Sequence, residues 1–320
     1  MKIAIIGPGA LGCLVAASLA RSGEDVWLLD KVQDRAKKIN NSGIRVEGIG
    51  EFSAKVRATC DAKDIGVCDL VIVCVKSYDT EEAVKEAKAS IGENTLVLTL
   101  QNGLGNEEVI AEIVGPEKVV GGVTSHGSTY VGDGKVRHAG KGETIIGRWY
   151  TPAARKDVRK WYIPRRRLEE ISALFKKSSF ETKISDNIKE VIWSKLIINV
   201  GINALGALTR LKNGDLFKYE WTRNVMKQAV MEAVKVAKRR RISLVYSDPV
   251  KKIESVCSSS SDNACSMLQD VLDGQKTEID YINGAIAAEG AALGVPTPVN
   301  SVLTDLVKAL ETGYGKQIGR

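Results

Sequence analysis

The chain has 320 residues, 44% hydrophobic and 27% charged, which is long enough for two domains with separate cores. Its net charge of +7, from 46 basic against 39 acidic residues, is concentrated in runs at 155–167 and 235–241 that read as solvated faces, and no nucleic-acid-binding module accompanies them. Two histidines, and six cysteines without a C-x-x-C pair, argue against a metal site and against a disulfide framework; no signal segment precedes the first strand and the longest apolar run, 196–208, is short for a bilayer, so the expected address is cytoplasmic with no membrane partner.

Residues 2–6, KIAII, form a short apolar strand. It runs into GPGALG, where Gly7, Gly9 and Gly12 set the G-x-G-x-x-G spacing around Pro8, Ala10 and Leu11. An apolar-periodic helix over 11–22 follows, then a strand over 25–29 that ends at Asp30. Alone, the glycine spacing is a weak signal. Between a strand and a helix, with an acid closing the second strand, it predicts a dinucleotide site. Gly7 permits the tight turn, Gly9 admits the pyrophosphate to the backbone, and Gly12 lets helix and strand pack closely, while the helix N-terminus faces the phosphates. Asp30 lies 18 residues past Gly12, where a carboxylate binds ribose hydroxyls and favours NAD(H). Lys31 beside it has two readings of similar weight: a cation for the 2′-phosphate of NADP(H), or a surface lysine.

A helix and a short β segment over 44–56 come next. DLVIVCV at 69–75 is a continuous apolar strand, as expected in a parallel sheet covered on both faces. It ends at Lys76, beyond the carboxyl end of a sheet strand, where ligands bind in such folds. An amphipathic helix over 80–90 leads to a strand over 95–100 that ends in Gln101-Asn102-Gly103. On one reading this is an ordinary turn; on the other, Asn102 presents its carboxamide to the nicotinamide ribose or the substrate. Strands follow at 119–124, 135–139 and 144–147. The basic, aromatic stretch at 148–167 holds two prolines and reads as a solvated insertion. A helix at 168–177 precedes a domain break near 179–186, and from 186 onward the chain is nearly all helix.

The first of those helices carries the chemistry. Within SDNIKEVIWSKLIINVGINAL, Asn187 is a candidate N-cap with Glu190 closing a capping box. Lys195, Asn199 and Asn203 then fall at i, i+4 and i+8, where each step of four drifts about 40°, so the three share one face of an otherwise apolar helix. An amine and two carboxamides are costly to bury without partners. Either the asparagines cap neighbouring helix ends while Lys195 snorkels to water, or the stripe holds a polar ligand; three such residues on one face favour the ligand.

Taken in order, GPGALG, VCVKSYDT, QNG, WSKLIINVGINAL, NGDL, CSMLQD and TEIDYINGAI make the chain resemble the ketopantoate reductase (2-dehydropantoate 2-reductase) family from residue 7 to about 300. The resemblance implies an α/β fold: an N-terminal Rossmann-type parallel-sheet domain over 1–182, with the basic insertion at 148–167, and an all-helical substrate and dimerisation domain over 183–320. It implies NADPH-dependent reduction of ketopantoate to pantoate in pantothenate and coenzyme A synthesis. Matched by motif, Lys195 is the general acid and Glu278 a glutamate near cofactor and substrate. Asn199, Asn203, Asn213 and Ser266 bind substrate. Lys76, Asn102 and Ser128 line the cofactor side, and Lys31 matches the cofactor-selecting basic position, with Asp30 before it leaving NAD(H) open. A homodimer through the helical domain is the expected assembly. Two alternatives remain: a reductase of another branched 2-keto acid, and a dinucleotide-binding regulator without turnover.

Overall fold

The computed structural model describes residues 1–150 and 162–316; most of the basic insertion, 151–161, lies outside the described residues. The described chain separates into two compact units: 1–101 with 105–188, and 102–104 with 189–316.

The first unit begins with β1 (Lys2–Ile6), α1 (Ala10–Arg21), β2 (Asp25–Leu29), α2 (Gln33–Ser42), β3 (Ile44–Gly48), β4 (Phe52–Ala54), β5 (Arg57–Thr59) and α3 (Ala62–Ile65). It continues with β6 (Leu70–Val73), α4 (Thr80–Glu86), β7 (Leu96–Thr99), α5 (Asn106–Val114), β8 (Val119–Thr124), β9 (Gly127–Gly132), β10 (Lys135–Gly140), β11 (Thr144–Arg148), α6 (Arg165–Lys177) and β12 (Thr182–Ile184). An eight-stranded sheet has the order β12-β11-β8-β7-β6-β1-β2-β5, and only the β8–β11 pairing within it is antiparallel. After β1 the chain builds outward through β2 and β5, then crosses back to β6 on the other side of β1. That reversal is where doubly wound sheets bind ligands, outside the carboxyl ends of the strands.

Two departures from the sequence expectations follow from long-range pairing. The segment at 44–56 and the strand at 135–139 form a separate sheet, β4-β3-β10-β9, in which β10 runs parallel to β3 with Val136 opposite Val46. This sheet covers the outer side of α1, whose buried face spans Gly12 to Leu19. A helix as apolar on all sides as ALGCLVAASLAR is stable only when enclosed, and two sheets enclose it. The second departure concerns the boundary. β12 pairs in parallel with β11, and the Ser185 N–H donates to the Ile146 carbonyl at 2.8 Å, so the first unit runs past 182 to Ile188.

The second unit is helical: α7 (Ile188–Thr209), α8 (Asn213–Lys218), α9 (Glu220–Arg239), α10 (Pro249–Ser259), α11 (Ser266–Leu272), α12 (Asn283–Leu293) and α13 (Pro298–Thr312). At 22 residues α7 is long and apolar enough to cross a membrane, yet its most apolar window is 78% buried inside the protein, which makes it a core helix. Its Trp193, Leu196, Ile197 and Val200 pack with Ala229, Val230 and Ala233 of α9 and with Ile282 and Ile286 at α12. Glu232, buried on α9, accepts from the backbone N–H groups of Val299 and Asn300, both at 3.0 Å, in the first turn of α13. A carboxylate there satisfies orphan amides and opposes the positive helix end. Asn300 adds Nδ2 bonds to Glu232 and to the Ala229 carbonyl, and its Oδ1 accepts from Asn283. This polar knot ties α9, α12 and α13 together inside an apolar core.

Candidate active site

The glycine loop joins β1 to α1 at the reversal point of the large sheet. Gly7 has φ +96°, and a Cβ there would lie 2.7 Å from Val75, just past the end of β6. A Cβ at Gly12 would lie 2.0 Å from the Gly7 carbonyl oxygen. Gly9 is different: it is exposed, has φ −76°, and a Cβ there would meet nothing within 4 Å. Gly9 is the N-cap of α1 and offers no side chain to its first-turn amides. Open space in front of an uncapped, partly positive helix end is the cradle a pyrophosphate needs, so these residues fit a bound dinucleotide. Cys13 braces the loop from below. Its Sγ–H donates to the Pro8 carbonyl at 3.2 Å, and burial pushes the thiol up to about 12, which keeps it a neutral donor.

The strand ends around this loop carry the remaining candidates. Asp30 follows β2 as expected, but its carboxylate is committed within the protein. Oδ2 accepts from Arg35 Nε at 2.6 Å, and Oδ1 accepts from Arg35 Nη2 at 2.5 Å and from the Val32 N–H at 3.0 Å. Lys31 is exposed and sits 3.5 Å from Asp79. Lys76 follows β6 as expected and is half-buried. The loop after β7 is locked to the loop after β6: Gln101 Nε2 donates to the Val75 carbonyl and to Thr80 Oγ1, both at 2.8 Å, and Asn106 Nδ2 donates to Ser77 Oγ at 3.2 Å. Gln101, Thr80, Asn106 and Ser77 were not candidates from sequence; the Q-N-G turn was the available signal, and its first residue proves to be the anchor. Ser128 lies on β9 of the four-stranded sheet, opposite His138, and so not on a strand of the large parallel sheet.

In the helical unit, Lys195, Asn199 and Asn203 lie on α7, and Lys195 is close enough to Glu278 to feel its charge. Burial pushes the Lys195 ammonium down to about 8, with Glu278 opposing that shift. Asn203 is 4% exposed, and its Nδ2 is buried with no hydrogen-bond partner among the described residues. Asn213, at the start of α8, donates from Nδ2 to Ser260 Oγ at 2.9 Å while its Oδ1 is buried and unpartnered. Buried polar atoms are nearly always satisfied, so the unpartnered Asn203 Nδ2, a donor, and Asn213 Oδ1, an acceptor, are groups that a polar ligand could satisfy. Ser266 opens α11 and is exposed; beside it, the Cys265 thiol donates to the Asn203 carbonyl at 3.6 Å. Asn102 belongs to this unit too. The Leu104 N–H donates to the Tyr281 carbonyl at 3.0 Å, and a Cβ on Gly103, at φ +89°, would fall 2.6 Å from that oxygen. The turn that carries Asn102 is thus clamped three residues from Glu278. Asn283, missed from sequence although it stands in TEIDYING, is fully buried; Nδ2 donates to the Val200 carbonyl at 3.2 Å, and Oδ1 has no partner among the described residues. Among the described residues, no group of three or more His, Cys, Asp or Glu side chains gathers into a metal site.

Two family models match the chain: ketopantoate reductase PanE/ApbA over residues 3–150, and its C-terminal domain over 187–311. The chain belongs to the ketopantoate reductase family. It is 35% identical to the 2-dehydropantoate 2-reductase of Pyrococcus abyssi over 317 residues, covering 99% of this chain and all of that one. The solved PanE/ApbA family ketopantoate reductase from Ralstonia eutropha is similar at a TM-score of 0.86 and 33% identity, covering 98% of this chain and 99% of that one. A D-mandelate dehydrogenase solved with NADH and anilino(oxo)acetate is similar at 0.87 and 28%, with the same coverage. Family membership makes the chain an oxidoreductase of a 2-keto acid, built as a mostly parallel-sheet unit followed by a helical one.

Proposed function

We propose that the chain reduces 2-dehydropantoate to pantoate with NADPH, Lys195 acting as the proton donor. The bound dinucleotide supplies a hydride to the ketone carbon. As charge grows on the ketone oxygen, a desolvated ammonium stabilises it and delivers the proton. The observation that carries this reading is the place of Lys195: half-buried on α7, in register with Asn199 and Asn203 and within the field of Glu278, which opposes the desolvation that lowers its pKa to about 8. Asn203 offers an unpartnered donor suited to a carboxylate or carbonyl, and Asn213 an unpartnered acceptor suited to a hydroxyl. Asn199, Ser266 and Asn102 complete the polar surroundings of the substrate. The glycine loop, Lys31 and Lys76 receive the cofactor.

Initial rates of NADPH and NADH oxidation with ketopantoate test the reading directly. Turnover with ketopantoate well above that with 2-ketoisovalerate supports it, and dinucleotide binding without oxidation across a keto-acid panel would leave a regulator. The likeness to D-mandelate dehydrogenase favours one second reading, a reductase of an aryl or branched 2-keto acid, so phenylglyoxylate belongs in that panel. The pairing of two helical units into a homodimer is proposed with them. Trp221, 78% exposed, and Tyr219, Val302 and Leu306 are large apolar groups that a second copy would cover. Light scattering after gel filtration gives the assembly mass.

A further inference from the structure

The end of β2 carries two opposed signals, an acid and a lysine in succession, and the tertiary structure decides between them. For NAD(H), a carboxylate at this position must offer its oxygens to the ribose hydroxyls. Asp30 cannot: its side chain has no exposed surface, and both oxygens already accept charge-assisted bonds from Arg35 on the first turn of α2, with a third from the Val32 N–H. Arg35 is itself held from a second side by the hydroxyl of Tyr130 on β9, which donates to Asp133 at 2.6 Å. The fork is therefore set by three elements, α2, the β2 end and the β9–β10 hairpin. A bidentate guanidinium–carboxylate pair with this support is not given up for a neutral diol. What remains accessible is positive: 24% of the Arg35 side chain, and the Lys31 ammonium, whose nearest carboxylate is 3.5 Å away.

We infer that Arg35 is a specificity-determining residue: by occupying Asp30 it removes the ribose-diol acceptor and turns the position into a cationic face for a 2′-phosphate. This rests on the dinucleotide reading of the glycine loop and names the residue that sets its preference. The same Asp30, unpaired, would mark an NAD(H) protein. The sequence shows the acid and the adjacent lysine; only the fold shows the acid already used.

Calorimetric titration of the full chain with 2′-phospho-ADP-ribose and with ADP-ribose reads the preference without turnover. The unmodified chain should bind the 2′-phosphorylated ligand roughly 10- to 100-fold more tightly, the range of a charge-assisted phosphate contact. In Arg35→Leu that ratio should fall by about tenfold or more, with ADP-ribose binding strengthened in absolute terms as Asp30 is released. Arg35→Lys keeps the charge and the fold while giving up the fork, so it should shift the ratio in the same direction by less, and it carries the test if Arg35→Leu does not fold. Equal or tighter binding of ADP-ribose by the unmodified chain, or an unchanged ratio in the folded variants, overturns the role of Arg35 and leaves the dinucleotide reading standing. Binding of neither ligand by the unmodified chain overturns both.

Discussion

The two halves of the functional machinery are made by opposite means. In the sheet unit the proposed cofactor site rests on what is missing: Gly9 has no side chain and the N-terminus of α1 has no side-chain cap. In the helical unit the proposed substrate site rests on what is present. A half-buried amine stands on a core helix, and buried carboxamide atoms have no hydrogen-bond partner among the described residues. A main-chain site costs little in the folded protein but tolerates nothing larger than hydrogen. A side-chain site is a standing burden on stability that a polar ligand relieves. Mutations should therefore divide cleanly, harming binding through added bulk in one unit and through lost groups in the other.

The largest expected effect comes from Lys195→Ala. Losing one placed acid should lower kcat by roughly 10² to 10⁴ with the fold intact, since the residue is a desolvated charge rather than a packing element. Stopped-flow reduction rates alongside a thermal melt check both parts; activity within a few-fold of the unmodified enzyme removes Lys195 from the role. Next, Gly9→Ala and Gly12→Ala should separate. The Gly12 variant meets backbone at 2.0 Å and should melt well below the parent. The Gly9 variant should melt as the parent does yet bind the dinucleotide roughly 10- to 100-fold more weakly, because its methyl occupies ligand space. A Gly9 variant with unchanged affinity would break the idea that this space is the cradle.

A smaller effect distinguishes unpartnered from partnered polar groups. Asn203→Ala should raise KM by about tenfold while leaving the melting temperature level or higher, because the lost Nδ2 has no hydrogen bond among the described residues to lose. Asn300→Ala, which breaks bonds to Glu232, Ala229 and Asn283, should do the reverse and destabilise without touching KM. The smallest effect is a displacement in pH. Reduction needs the ammonium form, so kcat/KM should fall as pH rises through the Lys195 value of about 8. Glu278 raises that value, so Glu278→Gln should move the alkaline limb to lower pH. A limb that stays in place would separate Glu278 from Lys195.

Much of this was legible from sequence where the constraint is local. GPGALG between a strand and a helix reports turn geometry within a dozen residues. The K-x-x-x-N-x-x-x-N spacing reports one helical face, and burial then filled in its meaning. The four-stranded sheet was not legible, because β3 and β10 lie about 90 residues apart and their parallel pairing leaves no periodic mark. The first unit runs past 182 to Ile188 for a similar reason: β12 is three residues long and becomes a strand only through β11. Gln101, Thr80 and Asn106 carry no sequence pattern that links them until the ends of β6 and β7 bring them together.

By itself the sequence determined that a glycine turn between strand and helix leaves the helix without a side-chain cap, and that an amine and two carboxamides share a stripe, since both depend on backbone rules acting over one or two turns. Tertiary structure decided what those groups are free to do. Asp30 and Arg35 are five residues apart and carry no motif between them, yet packing at the end of β2 joins them into a guanidinium–carboxylate fork that uses up the buried acid and leaves Lys31 outside it. Charge in a protein counts only where water or a ligand can still reach it, and that access is set by packing.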